Sequence, residues 1–429
     1  MPAARLARTG GNLLGWALGG RIRRNVVWAT LGAATARGGQ ALGMMAAARV
    51  LGPEDFGRLG LIYATAFTAV MILGNGLVAS IVRFVARDRH HDPIAVGRIV
   101  AAARVFGLLA CAAIAGLAAA AAPAAGTLLG DRLTAAVVVL AVLYTALSLL
   151  TELEAAILTA YEDFRARALL GALGGAVAGL GVVVGAVQAG LSGALVGLVA
   201  GAVMGLASHL AATSARLRRG RVRVLQTPRR AELLALGGGV LAVSTADLVM
   251  TGVSWLALVL LARTPGGLEE VAIFSVARQW LVLASFLPLM LIRAGLPAQA
   301  ELAGRDATAA LRFCQRQARN VVAMTAPAAL LIALLSPWLM PLYGPGYTHG
   351  WPALAVLMLV ITVQSPAGVL QAHLLNRGDA ARLLVIAATV AVLTLTGAVA
   401  LVPYGATGIA CTLLLGTALR SALLAAALR

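Results

Sequence analysis

The sequence predicts an all-α integral membrane protein of about twelve transmembrane helices, arranged as two six-helix bundles related by a parallel repeat. Three observations predict it: the composition, the placement of the arginines, and a repeat of half the chain length. Of 429 residues, 61% are hydrophobic and 12% charged, whereas a soluble domain is about half apolar and a quarter charged. A water-soluble fold could not cover that much apolar surface, and a bilayer removes the demand.

Apolar runs of roughly 20 residues, the length needed to cross the hydrocarbon core, give the spans. They fall at 26–48, 59–82, 99–122, 134–158, 168–188, 192–213, 233–262, 270–296, 320–342, 351–375, 382–402 and 405–427. The pairs 168–188/192–213 and 382–402/405–427 are split by very short turns and read as helical hairpins. With an inside N-terminus, 28 of the 34 basic residues fall on inner segments. Only Arg49, Arg58, Arg132 and Arg263 fall outside, and Arg37 and Arg278 lie within spans. Positive loops are retained on the cytoplasmic side, and one missed span would invert every later loop. Both termini are therefore expected in the cytoplasm of a multi-pass protein. The Ala, Gly and Arg bias suggests a bacterial cell (inner) membrane. The net charge of +18 sits in short loops, so nucleic acid is not an expected partner.

The chain aligns with itself at an offset of 214–215. Arg49 in AARVLGPEDFG pairs with Arg263 in LARTPGGLEE, and Arg167 with Arg382. Gly190, Gly193 and Gly201 pair with Gly405, Gly408 and Gly416. Six spans per half is an even number, so both halves enter the membrane the same way, related by an axis along its normal. The expected organisation is an Arg-bearing segment 1–24, a first bundle 25–213, a basic linker 214–231 and a second bundle 232–429. Residues 12–24 read as a surface-lying amphipathic helix, with no cleavable leader.

Several chemistries are excluded. Every basic residue is Arg, so there is no Walker A lysine and no Schiff-base lysine. Cys111, Cys314 and Cys411 are isolated, without disulfide or zinc spacing. RDRHHDP at 87–93 reads as a solvated charge run rather than a metal site. No loop much exceeds about 20 residues by the same span count, so no soluble catalytic domain is present. No enzyme activity, catalytic residue, metal or cofactor is expected.

Ionisable and polar groups at bilayer depth are expensive and default to function. Arg37 lies mid-span in the first helix, where its guanidinium suits a phosphate. Arg278, followed by Gln279 and Trp280, lies in the eighth span and lines a cavity or reaches headgroups. Asp247, with Ser244, Thr245 and Thr251 nearby, is a candidate for proton or sodium coupling. Glu152 and Glu154, on nearly opposite helix faces, are further ion-coupling candidates; at most one faces a cavity. Gln364 stands near Pro366, whose missing N–H frees carbonyls to line a cavity. Gln371, like Gln40, Asn75, His209 and His373, reads first as helix–helix glue.

The segment 25–87 resembles the N-terminal signature of bacterial O-antigen-type polysaccharide flippases, in the multidrug/oligosaccharidyl-lipid/polysaccharide (MOP) exporter superfamily. The residues that carry it are Asn25 and Trp28, then ARVLGPEDFGRLGL and GNGLVASIVRFVAR at 74–87. YEDFRARALL at 161–170, LYGPGYTHGWPAL at 342–354 and LVPYGATGIA at 401–410 extend it over nearly the whole chain. The resemblance implies a MATE/MOP-like fold and alternating access around a cationic cavity. It implies a monomeric flippase moving undecaprenyl-diphosphate-linked oligosaccharide between leaflets. The polysaccharide polymerase and glycosyltransferases would be its partners in surface polysaccharide biosynthesis. On that reading Arg37 meets the diphosphate, Arg278 is a cavity-lining candidate, and Gln364, Gln371 and Trp280 meet the sugars. A multidrug cation antiporter or a lipid II flippase is the alternative; a drug exporter should show acidic rather than basic cavity groups.

Overall fold

A computed structural model describes residues 20–89, 91–129, 135–220, 222, 226–229, 232, 236, 249–286, 288, 289, 291, 292, 295, 299, 302, 306–376 and 379–428. The segment 12–19, the residues Ser244, Thr245 and Asp247 and the side chain of Arg37 lie outside the described residues.

Among the described residues the chain is helical, with no strand. We label the helices α1 (Gly20–Asp88), α2 (Pro93–Leu129), α3 (Ala135–Ala160) and α4 (Phe164–Arg219). The second half holds α5 (Val249–Ala262), α6 (Gly267–Ala284), α7 (Ala307–Leu339), α8 (Trp351–Asn376), α9 (Ala380–Leu401) and α10 (Gly405–Ala426). Seven stretches are long and apolar enough to cross a membrane. Two helices are bent double. α1 breaks at Gly52 and α4 at Ala189–Gly190, so the ten helices among the described residues make twelve helical arms, of which α5 is shorter than a full span.

The breaks follow the repeat. Gly52 (φ 74°) and Gly266 (φ 70°) stand 214 residues apart. Gly190 (φ 59°, ψ −136°) and Gly405 (φ 63°, ψ −145°) stand 215 apart with nearly the same backbone. Only glycine adopts this conformation without steric cost, so each hairpin reverses at its glycine. Two helices outrun their apolar cores. α7 begins well before 320, where Asp306 caps it by accepting from Thr308 N (2.8 Å) and Ala309 N (3.0 Å). α2 begins at Pro93, with the Asp92 carboxylate accepting from Ala95 N (2.8 Å). Counting apolar residues misses such polar helical extensions, because helix formation needs capping and propensity rather than hydrophobicity.

The ends of the molecule differ in how the halves meet. At the arginine-poor end one core holds residues from both halves. Ala47, Phe56, Leu59, Leu195 and Leu198 pack there with Leu258, Leu261, Ile273, Phe274 and Tyr347. At the arginine-rich end the described residues form separate cores. Leu77, Ile81, Val96, Ile157 and Leu217 belong to the first half. Cys314, Val321, Leu370, Leu374, Leu383 and Leu424 belong to the second. Val222 and Leu236 join the first of these, and Glu232 pairs with Arg98 (2.7 Å). The described part of the basic connection is thus fastened to the first half up to Leu236.

Glycines set the closeness of the shared end. A Cβ on Gly57 would overlap the Leu268 carbonyl. One on Gly60 would lie 2.5 Å from Ser275 Oγ, and one on Gly346 2.5 Å from Pro53 Cγ. The 3-10 turns Met340–Tyr343 and Pro345–Gly350 dock Tyr347 into the Gly52 bend. Its ring meets Phe56 edge-on (6.2 Å) and its hydroxyl donates to Ala48 O (3.4 Å).

Candidate functional site

Directly below the shared core, side chains from both halves meet near mid-membrane. Gln40 on α1, Tyr63 and Phe67 on its second arm, Tyr144 and Ser148 on α3, and Arg278 on α6 stand 9 to 15 residues from the arginine-poor ends of their helices. At 1.5 Å per residue this is about 14–22 Å deep, close to the middle of a hydrocarbon core about 30 Å thick. The repeat explains the meeting. Displaced by 214–215 residues, Arg278 falls on Tyr63–Ala64, so the second arm of α1 and α6 present equivalent faces to each other.

The Arg278 guanidinium lies over the Phe67 ring, 5.5 Å from its centroid, within electrostatic range of the Tyr63 hydroxyl. A cation over an aromatic face keeps part of its stabilisation while its N–H groups stay available. The salt bridges among the described residues do not include Arg278. Nearby, Trp255 Nε1 donates to Thr65 Oγ1 (2.9 Å), a polar contact between halves. Tyr63 and Tyr144 stack at a tilt, centroids 6.1 Å apart. The Tyr144 hydroxyl is within hydrogen-bonding reach of Tyr63, Ser148 and Gln40. Tyr144 and Trp280 are partly buried at the edge of the shared core.

The other expected site residues are placed as follows. The Trp280 indole N–H and the Gln279 carbonyl oxygen are buried without a partner among the described residues. Gln364 is exposed on α8. Gln371 accepts from Arg420 Nη2 (2.5 Å) on α10, inside the second half. The carbonyls near Pro366 are not free for a cavity. Ser365 Oγ donates to Thr362 O (3.2 Å), the acceptor the proline leaves vacant, and Ser421 Oγ to Val363 O (2.9 Å).

The two carboxylates on α3 face different partners. Glu154 is buried and takes Arg104 Nε at 2.8 Å and Nη2 at 3.2 Å, with Thr213 Oγ1 donating at 2.6 Å. This brace ties α2, α3 and α4 together within the first half. Glu152 is exposed, with Arg167 at 3.7 Å. At the arginine-rich loops, Arg89 donates to Ala160 O (2.6 Å) and pairs with Glu162. Arg216 stacks over Tyr161 at 5.1 Å. Burial pushes the Tyr161 phenol up, against the pull of Arg216 and Arg89. The Arg87 hydrogen bond holds the Asp88 carboxyl below its usual range. Among the described residues no group of three His, Cys, Asp or Glu could hold a metal ion.

The sequence reading missed Tyr63, Phe67 and Tyr144. The available signal was rarity, since aromatics make up 5% of the chain and a tyrosine hydroxyl at mid-span needs a partner.

Several solved structures share this multi-helix membrane architecture. An inward-facing multidrug resistance MATE family transporter of the MOP superfamily superposes with a TM-score of 0.75 at 17% identity, over 92% of this chain and 96% of that one. An outward-facing one gives 0.66 at 18% identity, over 94% and 93%. A MOP superfamily transporter from Pyrococcus furiosus Vc1, reported with a binding pocket of reverse polarity that suggests a different function, gives 0.67 at 17% identity, over 94% and 93%. No curated protein matches the sequence. The family model described as polysaccharide biosynthesis protein matches residues 22–303. The chain belongs to that family, and it has the multi-pass fold of the MOP superfamily structures.

Proposed function

We propose that the protein is a flippase for polyprenyl-diphosphate-linked oligosaccharide, undecaprenyl in the bacterial cell membrane, with both termini in the cytoplasm. The observation that carries this reading is Arg278, a mid-membrane cation between the halves, held over Phe67. A guanidinium at that depth is costly unless it meets an anion or water, and its planar fork matches a diphosphate. Arg37, on α1 close to Gln40 in sequence, is the second candidate cation. Among the described residues the two halves share a core at the arginine-poor end and keep separate cores at the other, which suits entry of the head group from the cytoplasmic leaflet. The higher TM-score against the inward-facing relative fits that posture. Ion coupling, where present, belongs to Asp247 and Glu152, because Glu154 is committed to Arg104 and Thr213. The sugars' products would pass to a polymerase, with glycosyltransferases supplying the cargo; the working unit is a monomer.

The second reading is a MATE-type cation antiporter, favoured by the solved relatives. A cationic drug would be repelled by Arg278. The relative reported with a pocket of reverse polarity and a suggested different function offers a parallel within this fold. The test is Arg278→Ala in cells deleted for the native gene. Surface polysaccharide should fall at least tenfold, and lipid-linked saccharide should accumulate, while the protein inserts normally. Undiminished export would overturn the assignment, and drug sensitivity in its place would favour the antiporter.

A further inference from the structure

We propose that Tyr63, Tyr144, Gln40 and Ser148 form a binding subsite for the first sugar attached to the diphosphate, on the first half of the molecule and beside Arg278. This rests on the flippase reading and deepens it.

The cluster is uncharged and rich in hydrogen-bonding groups at a depth where such groups are costly to leave unmet. It brings three hydroxyls and one carboxamide from α1 and α3 to one place. The Tyr144 hydroxyl lies within hydrogen-bonding reach of the other three. A carboxamide offers two N–H groups and two lone pairs, and each hydroxyl can accept twice. The tyrosine rings lie 6.1 Å apart and tilted by 31°, and each is half-buried. Tyr144 borders the shared core rather than lying inside it, so the cluster stands where the joined end gives way to the divided one.

The charge arrangement selects the ligand. Tyr63 is the residue common to both groups: its ring stacks on Tyr144 and its hydroxyl lies near the Arg278 cation. A ligand bridging the two needs an anion and, one bond further on, a neutral face carrying several hydroxyls. A diphosphate ester of a hexose or N-acetylhexosamine has that order. Its C–H face would lie on a tyrosine ring, and its hydroxyls would meet the carboxamide and the serine. The sequence assigned sugar contacts to Gln364, Gln371 and Trp280. Gln371 is engaged by Arg420 and the Trp280 N–H is buried, whereas the tyrosine cluster remains accessible.

The experiment uses the purified full-length protein in lipid nanodiscs. Two probes are titrated: a short-chain polyprenyl diphosphate, and the same lipid carrying one N-acetylhexosamine. Intrinsic tryptophan fluorescence reports binding, since Trp280 is two residues from Arg278. The wild type should hold the sugar-bearing probe about tenfold more tightly, a difference of about 1.4 kcal/mol. Tyr144→Phe and Gln40→Leu should bring that ratio to about one, with thermal unfolding and elution profile checking that each variant is folded. Arg278→Gln should weaken both probes by a common factor and keep the ratio. Equal wild-type affinity for the two probes, or a ratio that survives both substitutions in folded protein, would overturn the subsite while leaving the flippase reading standing. Failure of wild type to bind either probe would overturn both.

Discussion

The two ends of this molecule are built from the same repeat yet packed in opposite ways. At the arginine-poor end the halves share one core, drawn together by Gly57, Gly60 and Gly346 and plugged by Tyr347. At the arginine-rich end the cores are separate among the described residues, and the Glu154–Arg104 pair lies within the first half. Arg98 with Glu232, and Leu236 in the first core, hold the start of the second bundle against the first. The difference shows where free energy is placed between two halves of one repeat. Apolar contact between the halves is reversible if it is confined to one end. Ion pairs between them would be hard to break, because removing a partner from a buried pair leaves an unmet charge. Charges therefore stiffen the bundles, and small residues with one aromatic plug join them.

Attacking the join should have the largest effect. Gly57→Val would drive a branched side chain into the Leu268 backbone, which cannot give way as a flexible side chain can. The expected outcome is loss of export with the protein still inserted. A cysteine at Ser275 should become reactive to a membrane-impermeant maleimide added outside. Protection like that of the parent would mean that the seal tolerates the intrusion.

Removing the plug is milder. Tyr347 is only 1% exposed, and truncating a buried aromatic costs about 3–5 kcal/mol. Part of that cost falls on the contact between halves. Tyr347→Ala should lower export severalfold and increase outside labelling, whereas Tyr347→Phe, which keeps the ring, should restore most of both. If the Phe variant behaves like Ala, the weak 3.4 Å hydroxyl contact to Ala48 matters more than the ring.

The smallest effect sharpens the contrast. Glu154→Gln removes the charge facing Arg104 and should destabilise the first half by about 1–3 kcal/mol, as for a buried partner left unsatisfied. It should appear as a lower thermal midpoint with no change in outside labelling at Ser275. A rise in labelling would show that the brace reaches across to the other half.

Much of the architecture was legible, for stated physical reasons. Arginines avoid translocation, so their placement revealed twelve arms. Glycines with positive φ cannot readily be replaced, so Gly190 and Gly405 marked equivalent reversals. The polar start of α7 was not legible from apolar counting. The Arg104–Glu154 brace spans 50 residues and has no local signature. Arg278 was visible as a charge in a span, but its setting was not, because Phe67 and Tyr63 reach it only through the packing of α1 on α6. Gln371 read first as helix–helix glue, and Arg420 holds it across α8 and α10, though its partner had no local signature. Asp247 and the Arg37 side chain fall outside the described residues and stay as proposals.

On the flippase reading the halves rock about the shared end, opening it as the divided end closes. Electron spin resonance distances in nanodiscs test it directly. One spin-label pair would sit at the exposed positions Val50 and Glu269 near the joined end, another at Arg87 and Arg312 near the divided end. On adding the sugar-bearing polyprenyl diphosphate, the Arg87–Arg312 distance should shorten and the Val50–Glu269 distance should lengthen. Movement of both pairs in the same direction, or no movement of either with the probe bound, would contradict the account.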